Sequence, residues 1–289
     1  SILSRLNTGL VNIITAEYPV EYELHGINQV QVNPKAGLTF ASALRAMLRQ
    51  DPDIIMVGEM RDRETATIAI EAALTGHLVL STLHTNDASS APPRLIEMGV
   101  EPFMIASSLI AVLAQRLVRT LCPRCKEPYR PTEQEFLRYG FTPPPNLHEI
   151  EIYRARGCEA CKNTGYKGRT GVHELLVVND PIRDLILQHA AAYTIQKVAK
   201  EHGLRLLKED ALAKVLSGRT DYQPDQQPER ERARPGTPDR LRSGYVDACA
   251  EHGQLRLLRH ATQNWLYQRC GGVAGFQNRA PHRDDGERV

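Results

Sequence analysis

Two groups of residues have the types and spacing to do chemistry. The first is Ile54-Ile55-Met56-Val57-Gly58-Glu59, a short apolar run closed by a glycine and a carboxylate. Such a run reads as a buried strand, and in an open α/β sheet ligands bind at the carboxyl ends of the strands. A glutamate delivered there can hold Mg2+, directly or through water, or polarise an attacking water. The run by itself is equally satisfied by an ordinary strand ending in a solvated Glu. The second group is Cys122-Pro-Arg-Cys125 and Cys158-Glu-Ala-Cys161, two Cys-x-x-Cys pairs separated by 32 residues. Four thiolates at this spacing suit a tetrahedral Zn2+, whose binding would fold a core-poor segment. Disulfides are the alternative, uncommon in a cytosolic chain, and a redox pair is a further one, weakened by the presence of two pairs. Cys249 and Cys270 fit neither pattern.

These residues need elements to position them. Residues 1–8 read as the end of a helix and Val11–Thr15 as a strand. Thr39 is placed to cap a helix over 39–50, with Phe40, Leu44, Met47 and Leu48 as its apolar stripe. Asp51-Pro52-Asp53 breaks it before the strand that carries Glu59. A helix over 63–75 and a strand over 78–83 follow, then helices near 94–98 and over 101–119. Strands alternating with helices predict a mainly parallel sheet with helices on both faces. From Cys122 to Gly171 the chain reads as loop-rich, and short helices are expected near 181–189, 194–202 and 205–217. Arg45 and Arg49 stand four apart, so they share one helix face, where their guanidinium groups suit phosphoryl charge or a solvated surface.

Composition bounds the function. The chain has 289 residues with 36 basic and 34 acidic side chains, a formal charge of +2, which excludes a strongly basic nucleic-acid surface and an acidic disordered chain. No run of about 18 apolar residues crosses a membrane, and no signal pattern opens the chain; the reading is a cytosolic protein. The average conceals a split. Residues 1–222 hold 25 acidic and 25 basic residues, whereas all 11 basic residues of 223–289 are Arg. The stretch from Gln223 is rich in Pro, Gln and Arg and reads as disordered, with one amphipathic helix possible over 254–267.

The stretch from Leu48 to Asp62 closely resembles the signature of the secretion ATPases, which power type II secretion, type IV pilus assembly and related machines. Gly76–Asn86 looks like that family's His box, and Thr15–Tyr22 like its acidic box. The resemblance runs to about residue 222. It implies an α/β, RecA-like P-loop NTPase core over 1–121, a tetracysteine zinc subdomain over 122–171 and a small C-terminal helical bundle over 172–222. It implies catalytic roles for Glu59, which would position water, for Glu17 and Glu21 near Mg2+, and for His84, which would sense the γ-phosphate. Arg45, Arg49, Gly58, Arg61 and Asp62 are the implied nucleotide-binding residues. ATP and Mg2+, with Zn2+ on the four cysteines, are the implied cofactors. The implied partners are five further copies in a homo-hexamer and an inner-membrane platform protein, with peripheral membrane association and no direct nucleic-acid contact.

The sequence also departs from the family. It contains no Gly-x-x-x-x-Gly-Lys-Ser/Thr run to cradle phosphates, so the chain is expected to begin just after its own phosphate loop and to be inactive alone. Tyr18 replaces a customary Asp, and a phenol stays neutral at pH 7. Pro92-Pro93 stands where relatives carry helix-compatible residues, tolerable only in a first turn. The abrupt change after Tyr222 is expected to mark a frameshift or read-through, with a lineage-specific extension as the alternative. A zinc-stabilised, non-catalytic interaction module is the rival functional reading.

Overall fold

The computed structural model describes residues 2–138 and 140–222; the expected 254–267 helix and the rest of the tail lie outside the described residues. Helix α1 (Ile2–Leu6) leads into strand β1 (Ile13–Glu17), then β2 (Asn28–Gln31), α2 (Phe40–Met47), β3 (Ile54–Val57), α3 (Arg63–Leu74) and β4 (Leu78–Ser81). The four strands form one wholly parallel sheet in the order β2-β1-β3-β4. Side chains alternate across it, as the two-residue strand period demands. Ile14, Ile55 and Val57 meet Leu44 and Met47 of α2 and Ile68 of α3 on one face. Ile13, Ile54 and Leu78 meet Leu3 of α1 on the other.

Local chemistry explains the helix starts. Thr39 caps α2 in a reciprocal box with Ser42, and Asp62 caps α3, accepting from Thr65 N at 2.8 Å. Pro92 and Pro93 lie in the first turn of α4 (Ala91–Glu97), where N–H groups have no intrahelical acceptor to lose. The expected departure at this position therefore costs the helix little.

The helix expected over 101–119 is wrong for most of its length. Only α5 (Pro102–Ser108) is helical, and β5 (Ala111–Leu121) follows as an extended strand. Ala, Leu, Gln and Arg in this stretch favour helix locally, but antiparallel pairing with β8 (Tyr166–Val177) overrides that preference. The 122–171 stretch, read as loop-rich, contains β6 (Glu127–Tyr129), α6 (Glu133–Arg138) and β7 (Ile152–Arg154) and enters β8, so position 171 falls inside a strand. Strand β2 was also unforeseen.

Helices α7 (Asp180–Leu187), α8 (Ala192–Glu201) and α9 (Leu207–Leu216) complete the described chain. They share their apolar core with the sheet domain. Ile182, Ile186 and Ile195 pack in one cluster with Ile70 of α3, Leu95 of α4, Ile105 of α5 and Leu176 of β8. Helices of 8 to 10 residues with one apolar face are too small to enclose a core of their own. Helix α9 instead packs along β5, β7 and β8. No helix among the described residues is long and apolar enough to cross a membrane.

Candidate functional site

The parallel sheet brings three motif residues to one edge. Glu17 ends β1, Glu59 follows β3, and His84 follows β4, all at the carboxyl ends of adjacent strands. Gly58 makes this closeness possible. Its N–H donates to Ala16 O at 2.8 Å, and an added Cβ would lie 3.1 Å from that oxygen, 3.4 Å from the Phe40 ring and 3.6 Å from Glu17 Cα. Thr82 Oγ1 donates to Gly58 O at 2.6 Å, and Met60 N to Thr82 O at 3.1 Å, which locks the β3 exit to the β4 exit.

Glu59 is mostly buried, with 17% of its side chain exposed. Its Oε2 takes two partners, Arg61 Nε at 2.6 Å and His84 Nε2 at 3.1 Å. Burial works against the charge, but hydrogen bonds from Arg61 and His84 outweigh it and hold the carboxyl below its usual value. Glu59 is thus an anion at neutral pH with Oε1 left for a further ligand. Glu17 is anchored by Thr15 Oγ1 at 2.6 Å and Gln29 Nε2 at 2.8 Å, both on Oε1. Glu21 lies exposed in the β1–β2 loop.

The residues expected to bind nucleotide are placed less uniformly. Arg61 is spent on Glu59. Asp62 spends both oxygens on Thr65, accepting from its N–H and, at 2.9 Å, from Oγ1. Arg45 Nη2 reaches Glu64 Oε1 of α3 at 2.6 Å across an exposed surface. Arg49 falls past the end of α2, in an exposed 3-10 turn, Leu48–Gln50.

The four expected metal-binding cysteines converge. The Sγ atoms of Cys122, Cys125, Cys158 and Cys161 all lie within 4.8 Å of one another, with Cys122–Cys158 at 4.0, Cys125–Cys161 at 3.8 and Cys158–Cys161 at 3.7 Å. None of the four is joined to another by a disulfide. A tetrahedral Zn–S bond of about 2.3 Å implies sulfur–sulfur separations of about 3.8 Å, so the donor set fits Zn2+. The β5–β8 ribbon joins the two knuckles. Cys122 directly follows β5 and its N–H donates at 2.9 Å to the carbonyl of Gly165, the residue before β8. Gly165 sits at φ +77°, and a Cβ there would collide with Ala155 Cβ at 2.5 Å. Burial raises the Cys161 thiol, but N–H donors from Cys158 and Gly165 at 3.2 Å and the neighbouring thiols bring it down to about 6. Burial and the other three thiols push Cys125 up to about 12, against one N–H from Gly157. A divalent cation would resolve this crowding by taking all four as thiolates.

Sequence reading missed the residues that hold the edge together. Thr15, Gln29 and Thr82 support the carboxylates and their strand exits through hydrogen bonds. Arg116 and Glu174 bond the loop that carries His84. Thr82 sits within the His box, but Arg116 and Glu174 lie on strands remote in sequence and no local pattern links them to it.

Comparison with known proteins places the chain in a family. The chain is 57% identical over 220 residues to the type IV pilus assembly ATPase PilB of Thermus thermophilus, covering 76% of this chain and 25% of that protein. It is 54% identical over 220 residues to the type II secretion system protein E of Pseudomonas aeruginosa, covering 75% of this chain and 43% of that protein. The chain thus spans less than half the length of these curated relatives. The fold is shared with the ATPase DotB of Legionella pneumophila, at TM-score 0.52 and 24% identity over 76% of this chain and 53% of that one. The family model described as "Type II/IV secretion system protein" matches residues 1–233, the sheet edge, the cysteine cluster and the C-terminal helices together, and the chain belongs to that family.

Proposed function

We propose that this chain is the catalytic-edge and tetracysteine part of a RecA-like secretion or pilus-assembly ATPase. The observation that carries the reading is the convergence of Glu17, Glu59 and His84 on one edge of a parallel sheet, with Glu59 held as an anion. In this reading Glu59 Oε1 takes a hydrogen bond from the attacking water while Arg61 and His84 hold Oε2. His84, 77% exposed at its side chain, is free to face a γ-phosphate. When Mg2+ is bound, Glu17 and Glu21 would hold it and it would neutralise phosphate charge. Arg45 and Arg49 would meet phosphoryl groups within the subunit or across an interface, after Arg45 leaves Glu64. The assembled motor is a cytoplasmic homo-hexamer, peripheral to the inner membrane through a platform protein, and its ATP-driven domain motion assembles pilins or pseudopilins. It makes no direct contact with nucleic acid. The four cysteines hold a structural Zn2+.

The 289 residues contain no phosphate-loop sequence, so this chain alone turns over ATP negligibly: phosphoryl transfer needs a preorganised phosphate cradle. The test adds a cradle by fusing to Ser1 a segment of the Thermus thermophilus relative that carries a Gly-x-x-x-x-Gly-Lys-Ser/Thr run. The chimaera is expected to hydrolyse ATP with Mg2+, and Glu59→Gln to reduce the rate by about 10²–10⁴-fold. A chimaera without Glu59-dependent turnover overturns the ATPase reading, and Glu59-dependent turnover by residues 1–289 alone overturns the inactivity. Elemental analysis is expected to find about one Zn2+ per chain, lost in Cys122→Ser and Cys158→Ser. A folded, metal-free chain refutes the zinc assignment.

A further inference from the structure

The loop after β4 that carries His84 has no regular structure, and the imidazole touches Glu59 from a largely exposed position. Packing of the ring therefore does not fix it; the backbone of the loop must. Before His84 that backbone is tied to the β3 exit at Thr82, whose carbonyl accepts from Met60 N at 3.1 Å; after His84 it is held at two further points, both from the β5–β8 ribbon. Arg116 on β5 donates from Nη2 to Asn86 O at 2.8 Å and Thr85 O at 3.3 Å, while its Nη1 is braced on Gln115 O at 2.9 Å. Glu174 on β8 is 2% exposed. Its Oε1 accepts from Ala88 N at 3.0 Å, and its Oε2 from Leu207 N, in the first turn of α9, at 3.1 Å. A buried carboxylate is costly unless its oxygens are hydrogen-bonded. This one is satisfied only while the His84 loop and α9 both stay in place, and the positive end of α9 favours its charge.

We propose that Arg116 and Glu174 are positioning residues for His84, clamping residues 85–88 so that the imidazole stays on Glu59. Their importance for catalysis rests on the ATPase reading; the clamp itself does not. The ribbon that supplies both clamps closes the cysteine cluster at its other end, through Cys122 N and Gly165 O. The hydrolytic edge and the cysteine cluster are therefore held by one two-stranded element, and α9 is tied to the same carboxylate.

The test uses the full 289-residue chain labelled with 15N-histidine, with the His84 signal assigned from His84→Gln and its uncoupled position taken from Glu59→Gln. Arg116→Gln is expected to move the His84 Nε2 resonance toward the Glu59→Gln position, leaving His25, His148 and His202 unmoved. Glu174→Gln keeps one acceptor oxygen for two N–H donors, so it is expected to speed exchange of the Ala88 or the Leu207 amide by about ten-fold, the fold-change of one lost buried hydrogen bond, while the Ile55 and Val79 amides keep their rates. A His84 resonance in Arg116→Gln that superimposes on the parent overturns the proposal. Arg116 is exposed, so this variant decides the matter even if Glu174→Gln fails to fold. Neither readout uses hydrolysis: an inactive chimaera sinks the ATPase reading and leaves the clamp standing, whereas an unmoved His84 sinks the clamp alone.

Discussion

Glu59 and His84, 25 residues apart in the chain, meet with Nε2 and Oε2 at 3.1 Å. The contact exists because β3 and β4 are parallel neighbours, so their exits lie side by side. Arg61 completes the arrangement from the turn immediately after Glu59, on the same oxygen.

That sharing sets a pH dependence. Burial alone would raise the Glu59 carboxyl; Arg61 and His84 lower it. Arg61→Gln is expected to shift its titration upward, read by 13C NMR of the glutamate carboxyl. Because the folded-state value is depressed, the carboxylate's contribution to stability is present above the ordinary glutamate range. It is lost as pH falls from that range through the folded value, and in Arg61→Gln the contribution is smaller and its loss is complete at a higher pH.

Gly58→Ala tests how tightly the edge is built. The new methyl would meet Ala16 O at 3.1 Å, and backbone carbonyls inside a sheet yield little. The variant is expected to lose about 1–3 kcal/mol of stability, measured as a lower urea midpoint at unchanged slope.

Asp62 separates capping from ligand binding. Both of its oxygens serve Thr65. Asp62→Ala is expected to cost about 1 kcal/mol and Asp62→Asn only a few tenths, since Asn caps as well as Asp. If Asp62→Asn abolishes nucleotide binding in the chimaera at unchanged stability, a ligand role stands beside the cap.

Asp210 and Lys214, on α9, form an ion pair with side chains only 3% and 5% exposed, and Asp210 Oδ2 also accepts from His173 N at 2.9 Å. Burial raises the Asp210 carboxyl, but Lys214, the His173 amide and Arg205 together hold it low. Asp210→Asn strands a buried ammonium and is expected to cost about 3–5 kcal/mol. Replacing both residues with apolar ones should cost less than either single change. The pair stabilises above the ordinary aspartate range, and that stability is lost in acid as pH falls through the lowered value.

Some of this molecule was legible in its sequence because the information is local. A four-residue apolar run bounded by a breaker and a glycine is a buried strand in any context, and it delivers Glu59 to an edge. Thr39 announces a helix start by bonding its own first turn. Two Cys-x-x-Cys knuckles prefigure a four-sulfur cluster because each pair is already within reach of one ion.

What the sequence could not decide depends on partners remote in the chain. β5 has the composition of a helix and becomes a strand because β8 lies alongside it and pairs over nearly its whole length. Asp62 is offered to a ligand by its place after Glu59, and the start of α3 also uses its carboxylate as a cap. Arg45 is offered to phosphate by its helix position alone, and only the packing of α3 gives it Glu64 as a partner that it must first leave. The C-terminal helices read as a separate bundle, yet Ile182, Ile186 and Ile195 find their partners on α3, α4 and α5. Periodicity records which face of a segment avoids water. Only the folded chain decides what covers that face, and here that choice sets which residues hold Glu59 and His84 together.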